Sequence, residues 1–406
     1  MLSKLLAGTA AAAATVALTA GPALADPPSG TTPAVTAAVG TGSNTTQYLL
    51  DQLSYNFDHK NPSATEKLYS WDAVNPNTLA IGDNVVTKKG CAAIARPDGS
   101  GAGITQLDAN VVDPSNKKYY CEDYARSSRA RASTDPPFAA GGVAFVSLGG
   151  DAVTWSDRSA AAGGTDAPAN LTVAQLVKIY ECADTNWKQV GGKSAPIQAY
   201  LPQTSSGTRQ FFLTALGGGV TPITPGSCVI DGTTSDPNSL EENEGINPLL
   251  NSPQAIFIYS VGAYLSQRYH SPNCINSDCS PAPSGPPCKF VSGKNRYGCN
   301  EVGVLQLNTL GGSKPTTPWP LTATTNKATI NHNFSLAFQR SLYDVVRYDP
   351  NTTDHIPGSE SSSPGHINLE QFFGASGFAC SSAEAATVKD YGFLPTWKLS
   401  TCGATS

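Results

Sequence analysis

The chain has 406 residues, of which 14% are charged, and a formal net charge of −5. So low a charge fraction with a slight acidic excess argues against a nucleic-acid partner, which needs a basic face. It leaves room for a small anion, because helix ends and oriented amides attract anions without any net charge.

The N-terminus predicts a secretory signal peptide over residues 1–25. Lys4 is its lone charge, an Ala/Leu/Val-rich run follows, and Ala23-Leu24-Ala25 is a small-x-small cleavage site that would leave Asp26 first. A membrane anchor is the competing reading; the Ala-rich character of the run and its break at Gly21-Pro22 favour cleavage. The first cysteine is Cys91, so no cysteine at the cleavage site can take a lipid. The expected product is secreted and extracellular, with no membrane span. About 380 residues then remain, more than one core organises well, and two lobes are expected.

Residues 26–38 read as a flexible Pro/Thr-rich lead-in. Three short segments then stand out: Gly42-Ser43-Asn44-Thr45-Thr46, Asp98-Gly99-Ser100-Gly101-Ala102-Gly103 and Thr204-Ser205-Ser206-Gly207-Thr208. Each opens a predicted helix, and small hydroxyl residues with glycine at a helix start offer free N–H groups, short donors and a favourable dipole to an anion. Taken singly, Thr45, Ser100 and Thr208 read first as plain N-caps.

Further along, residues 143–148 predict a strand after Gly141-Gly142, and Asn170-Leu171-Thr172 starts a helix over 173–180. Strands are expected over 197–201, 255–260, 329–336 and 341–346, and helices over 261–269, 369–373 and 383–391. Alternating strands and helices predict an α/β fold with largely parallel sheets, whose ligands sit at helix starts beyond the strand ends.

Ten cysteines in an exported chain predict five disulfides. Sequence order pairs Cys91 with Cys121, Cys182 with Cys228, and Cys380 with Cys402. Cys274, Cys279, Cys288 and Cys299 supply two more bonds of undecided pairing; zinc is the alternative there, disfavoured because the spacing is not Cys-x-x-Cys. They belong to a Pro/Ser/Cys-rich stretch near 270–300 that reads as a stapled surface insertion. The five histidines, His59, His270, His332, His355 and His366, lack metal-ligand spacing, so no metal or cofactor is expected. Gly191-Gly192-Lys193-Ser194 mimics the end of a P-loop, but Trp187 stands where its first glycine must be. No Gly-x-Ser-x-Gly elbow surrounds any serine. Trp155, Trp187 and Trp319 read as packing residues.

The three Ser/Thr/Gly segments, Asp123-Tyr124-Ala125-Arg126-Ser127-Ser128, the stretch 171–187 and Trp319-Pro320-Leu321-Thr322 occur in a recognisable order. In that order the chain resembles the phosphate-type substrate-binding proteins of ABC importers, with the two-lobed periplasmic-binding-protein type II fold, in a secreted actinobacterial branch. The resemblance runs from about residue 39 to the C-terminus. It implies a lobe over 39–140 plus 311–406, a second over 141–310, and an anion held between them without metal. Carried over, Asn44, Thr45, Ser100, Ser206, Gly207 and Thr208 are ligand contacts. Ser128 falls where these proteins carry an aspartate that accepts the proton of hydrogen phosphate, and Pro202 falls where they carry an arginine. Arg129 is a further expected contact, with Arg126 and Arg209 as charge partners; Asp123 and Glu122 are alternative partners for the arginines. Asp135 is a replacement acceptor or, before Pro136-Pro137, a turn residue.

The resulting expectation is a monomeric, non-enzymatic binder of a small oxyanion, phosphate first, with an ABC importer permease as a partner. An adhesion or scaffold protein that kept the fold and lost the ligand is one alternative. A secreted phosphoester hydrolase is the other.

Overall fold

The structure is a computed structural model that describes residues 26–27, 31–75, 82–112, 114, 118–231, 240–270, 301–321, 328–359, 367–395 and 397–406, with the side chains of 269 and 270 left out. The expected signal peptide, Cys274, Cys279, Cys288 and Cys299, Thr322 and His366 lie outside the described residues, as does the His270 side chain.

Among the described residues nine strands form the main sheet. In chain order they are β1 (Ala38–Gly42), β2 (Leu68–Ser70), β3 (Tyr124–Ser127), β4 (Val143–Arg158), β5 (Gln198–Leu201), β6 (Ile230–Asp231), β7 (Ala255–Ser260), β8 (Leu305–Leu307) and β9 (Gln339–Arg347). Their order is β2-β1-β3-β9-β4-β7-β5-β6, with β8 also on β4. Helices α1 (Gln47–Lys60), α2 (Ser100–Asp108), α3 (Val173–Tyr180), α4 (Gly207–Leu216), α5 (Val261–Leu265), α6 (Glu370–Phe373) and α7 (Glu384–Asp390) complete the α/β architecture.

The expectation of largely parallel sheets holds only at the flanks. β1 pairs parallel with β2 and β3, and β5 pairs parallel with β6 and β7. The middle is antiparallel: β9 runs against β3 and β4, and β4 runs against β7 and β8. Period-2 patterning cannot distinguish these cases when a strand is buried on both faces.

β4 is much longer than predicted. The strand expected over 143–148 continues through Gly149-Gly150 to Arg158, with a register shift opposite Leu342/Tyr343. Gly-Gly reads as a turn in sequence. Here glycine instead admits neighbouring groups: a Cβ on Gly150 would lie 2.4 Å from Cδ2 of Trp397, and one on Gly149 would lie 2.9 Å from the Leu394 carbonyl oxygen. The strand expected over 329–336 shrinks to Thr329–Ile330, while β9 extends the one expected over 341–346 at both ends.

The long strand links separate hydrophobic cores. Ala152, Val153 and Trp155 pack with α3, α4, β5 and β7, around Trp187, Phe212 and Phe257. Ala144, Val146 and Leu148 pack with α1, α6 and α7, around Leu53, Tyr124 and Phe372. Trp155 and Trp187 are fully buried and Trp319 packs at the edge of the first core, so all three are packing residues. α3 starts where expected, with Thr172 and Gln175 forming a reciprocal capping box.

Among the described residues three disulfides join Cys91 to Cys121, Cys182 to Cys228 and Cys380 to Cys402, as sequence order suggested. Asp26 takes a two-pronged ion pair from Arg96, at 2.8 and 2.9 Å, and Ala37 and Ala38 are buried. No helix of the described residues is long and apolar enough to cross a membrane.

Candidate functional site

All three Ser/Thr/Gly segments open helices, and the helices bring them together. Gly42 ends β1 with φ +113, a backbone that favours glycine, and Ser43-Asn44-Thr45-Thr46 leads into α1. Gly42 bridges to Asp98, just before α2. The Ser205 carbonyl, just before α4, accepts from Gly101 N at 3.0 Å.

Gly207 is the tightest meeting point. A Cβ there would lie 2.2 Å from Ser100 Oγ and 2.5 Å from Ser128 Oγ. Gly207→Ala is expected to lower folding stability by about 1–3 kcal/mol through overpacking, measured by denaturant unfolding. A neutral substitution would mean that α2 and α4 do not meet this closely.

None of Thr45, Ser100 and Thr208 is an N-cap. The caps are Thr46, Gly99 and Ser206, and of these only Ser206 makes a side-chain cap bond, accepting from Arg209 N at 3.1 Å. The hydroxyls of Thr45, Ser100 and Thr208 are thus directed elsewhere. Ser100 Oγ accepts from Ser128 N at 3.0 Å and lies 3.4 Å from Ser128 Oγ. Thr45 and Thr208 face each other, with their hydroxyls 3.2 Å apart.

At the centre lies a carboxylate that sequence reasoning missed. Oε1 of Glu242 accepts from Ser43 Oγ (2.9 Å), Thr45 N (3.1 Å) and Thr45 Oγ1 (3.0 Å). Oε2 accepts from Ser206 Oγ (2.5 Å) and Thr208 N (3.0 Å). The first and third segments thus direct five hydrogen bonds onto one anion. Arg340 supplies positive charge nearby and donates from Nη2 to Thr208 Oγ1 at 3.1 Å. Asn243 Nδ2 donates to Thr45 Oγ1 at 3.0 Å. Donors therefore run in sequence from Arg340 through Thr208 and Thr45 to the carboxylate, each polarising the next.

Burial pushes the Glu242 carboxyl up, but Ser206, the Arg340 charge, Thr208 and Ser43 outweigh it and hold it below its ordinary value. Its neighbours move the other way. Burial, then the charges of Asp98, Glu244 and Glu242, raises Glu241 well above the carboxylate range, and burial raises Glu244 to about 7. Asn44 Nδ2 donates to Glu241 Oε2 at 3.2 Å.

The structure thus brings together Asn44, Thr45, Ser100, Ser128, Ser206, Gly207 and Thr208. The arginines expected from sequence are engaged elsewhere. Arg129 forks onto Asp135 at 2.5 and 2.8 Å, and Asp135 also accepts from Ala132 N, so Asp135 organises a turn. Arg126 donates to the carbonyls of Ser43 and Gly42 and to Ser70 Oγ. Arg209 donates to the Pro202 carbonyl and pairs with Asp231 at 2.7 Å. The carboxylates of Asp123 and Glu122 pair with other groups: Asp123 with Lys88 at 2.6 Å, and Glu122 with Thr41 Oγ1, while Arg347 Nη1 donates to the Glu122 carbonyl at 2.8 Å. Among the described residues no group of His, Cys, Asp and Glu is arranged to hold a metal ion.

Arg340 carried no sequence signal beyond its place beside a predicted strand. Glu242 sits in Glu241-Glu242-Asn243-Glu244, which in sequence is indistinguishable from a solvated acidic loop.

Among solved structures the chain is similar to an ABC-type phosphate transport receptor from Vibrio cholerae, at 16% identity and a TM-score of 0.48, covering 88% of this chain and 99% of that one. It is also similar to a putative phosphate ABC transporter substrate-binding protein from Clostridium perfringens, at 15% identity and a TM-score of 0.46, covering 89% and 100%. The family model for the PBP superfamily domain matches residues 27–275, more than half of the sequence, and the chain belongs to that superfamily.

Proposed function

We propose that the protein is a secreted binding protein for a small tetrahedral oxyanion, phosphate first, held where the β1–α1 loop meets the N-termini of α2 and α4. The observation that carries this reading is the convergence of Ser43, Thr45, Ser206 and Thr208 on a single buried carboxylate. Two backbone N–H groups and three hydroxyls at helix starts are an anion receptor, whichever anion fills it. The ligand would bridge a lobe over 39–140 plus 311–406 and a lobe over 141–310, closing them as a hinge. Ser128 can both donate and accept, unlike an aspartate, so fully ionised sulfate is not repelled there. Delivery to a membrane permease belongs to the same reading, and binding alone suffices for it.

The test is calorimetric titration with phosphate and then sulfate. Saturable phosphate binding is expected, and the Ser100→Ala/Thr208→Ala pair is expected to weaken it by about tenfold or more, by removing the hydroxyls behind the two helix starts. Unchanged affinity in that double variant would place phosphate elsewhere.

A further inference from the structure

The receptor just described already holds an anion, and that anion belongs to the chain. We propose that Glu242 is a built-in competing ligand: an external oxyanion enters the cradle only by displacing the Glu242 carboxylate. The inference rests on reading the cradle as an oxyanion site and adds a control on its occupancy.

Glu242 is 2% exposed and uses both of its oxygens, so the same Ser43, Thr45, Ser206 and Thr208 donors cannot serve it and a second anion together. It also does what an external ligand would do mechanically. Its donors come from the β1–α1 loop, beside one hydrophobic core, and from α4, in the other.

The backbone behind Glu242 is fixed independently of its side chain. Asn243 has φ +64, a conformation asparagine tolerates better than most residues. Its side-chain oxygen accepts from Ser260 N at 3.1 Å, and its carbonyl accepts from Gln267 Nε2 at 3.0 Å and from Tyr259 Oη. Removing the Glu242 carboxylate should therefore leave the segment in place.

The carboxylate does not use everything the site offers. Arg340 is 2% exposed, yet its Nη1 has no hydrogen-bond partner. A carboxylate has two oxygens and a tetrahedral oxyanion has four, so the exchange can satisfy a donor that Glu242 leaves unpaired. A tethered ligand also competes at high effective concentration, so external affinity falls by the fraction of time the cradle is free.

The experiment compares wild type, Glu242→Ala and the isosteric Glu242→Gln, with inorganic phosphate, sulfate and acetate as probes. Heat of binding and melting temperature are both read, and circular dichroism checks that each variant is folded. Expected is phosphate affinity tighter by on the order of 100-fold in Glu242→Ala, with a smaller gain in Glu242→Gln, whose side chain still fills the space. Acetate is expected to raise the melting temperature of Glu242→Ala and not that of wild type. If Glu242→Ala does not fold, a gain of phosphate or sulfate affinity in Glu242→Gln supports the proposal, and its absence overturns it. Wild type binding phosphate as tightly as the folded variants would overturn the proposal and leave the phosphate reading intact. A folded Glu242→Ala stabilised by acetate but by neither phosphate nor sulfate would support the internal ligand and overturn the phosphate reading. A folded variant that responds to no anion would overturn both.

Discussion

Asp151→Ala is expected to cost about 3–5 kcal/mol of folding stability, the usual penalty for leaving one partner of a buried ion pair alone. Asp151 is fully buried in the middle of β4, directly across the ladder from Arg340 of β9. Its Oδ2 accepts from Arg340 Nε at 3.0 Å, Arg340 Nη2 at 2.8 Å and Ser260 Oγ at 2.8 Å, and its Oδ1 accepts from Gly262 N at 2.9 Å. One carboxylate thus ties together β4, β9 and the start of α5. Its loss would strand the Arg340 guanidinium in a site where water cannot replace the lost charge.

Denaturant unfolding checks this. Asp151→Ala combined with Arg340→Met should recover part of the loss, because the second substitution removes the unpaired charge. A cost below about 1 kcal/mol for the single variant would mean that the pair is solvated. Arg340 also donates to Thr208, so the Asp151→Ala melt should respond to added phosphate more than the wild-type melt does.

The second expectation concerns pH. Burial raises Glu122, Glu301 and Asp344 to about 8 and Glu244 to about 7. Between about pH 4 and pH 8 the folded protein therefore binds more protons at these groups than the unfolded chain does. The stability they contribute is fully present below about pH 4 and is lost as pH rises through their folded values. Glu242 acts oppositely: its value is lowered, so its contribution is present above the ordinary glutamate range and is lost as pH falls below it.

Together these groups make the protein more stable at pH 5 than at pH 8.5, by on the order of several kcal/mol. Thermal melts across that range should show the melting temperature falling by about ten degrees or more toward the alkaline end. Asp344→Asn should flatten the slope, since Asp344 is 1% exposed and only the Arg126 charge across the ladder opposes the effect of burial. A melting temperature that rises from pH 5 to pH 8.5 would contradict this assignment.

Much of the fold was legible because its signals are local. Asn170-Leu171-Thr172 and the apolar spacing after it mark α3, the buried apolar run of β7 marks a strand, and an even cysteine count paired in sequence order gives three bonds. The strand through Gly149-Gly150 was not legible, because what makes glycine necessary there is Trp397 and Leu394, more than 200 residues away. The site divides in the same way. Hydroxyls at helix starts announce themselves through helix-capping chemistry, and seven of the expected contacts do gather. The charges do not announce themselves, because nothing local separates Arg340, beside Thr208, from Arg129, held by Asp135, or the buried Glu242 from a solvated glutamate. Those roles are decided by which distant groups the assembled sheet brings together.

The measurement to make is the crystal structure of Glu242→Ala grown in phosphate. The expected result is a tetrahedral anion within hydrogen-bond distance of Thr45 N, Thr208 N, Ser43 Oγ and Ser206 Oγ, with Arg340 turned toward it. A cradle collapsed onto itself, or filled by another side chain with phosphate bound elsewhere or not at all, would contradict an oxyanion site between these helices.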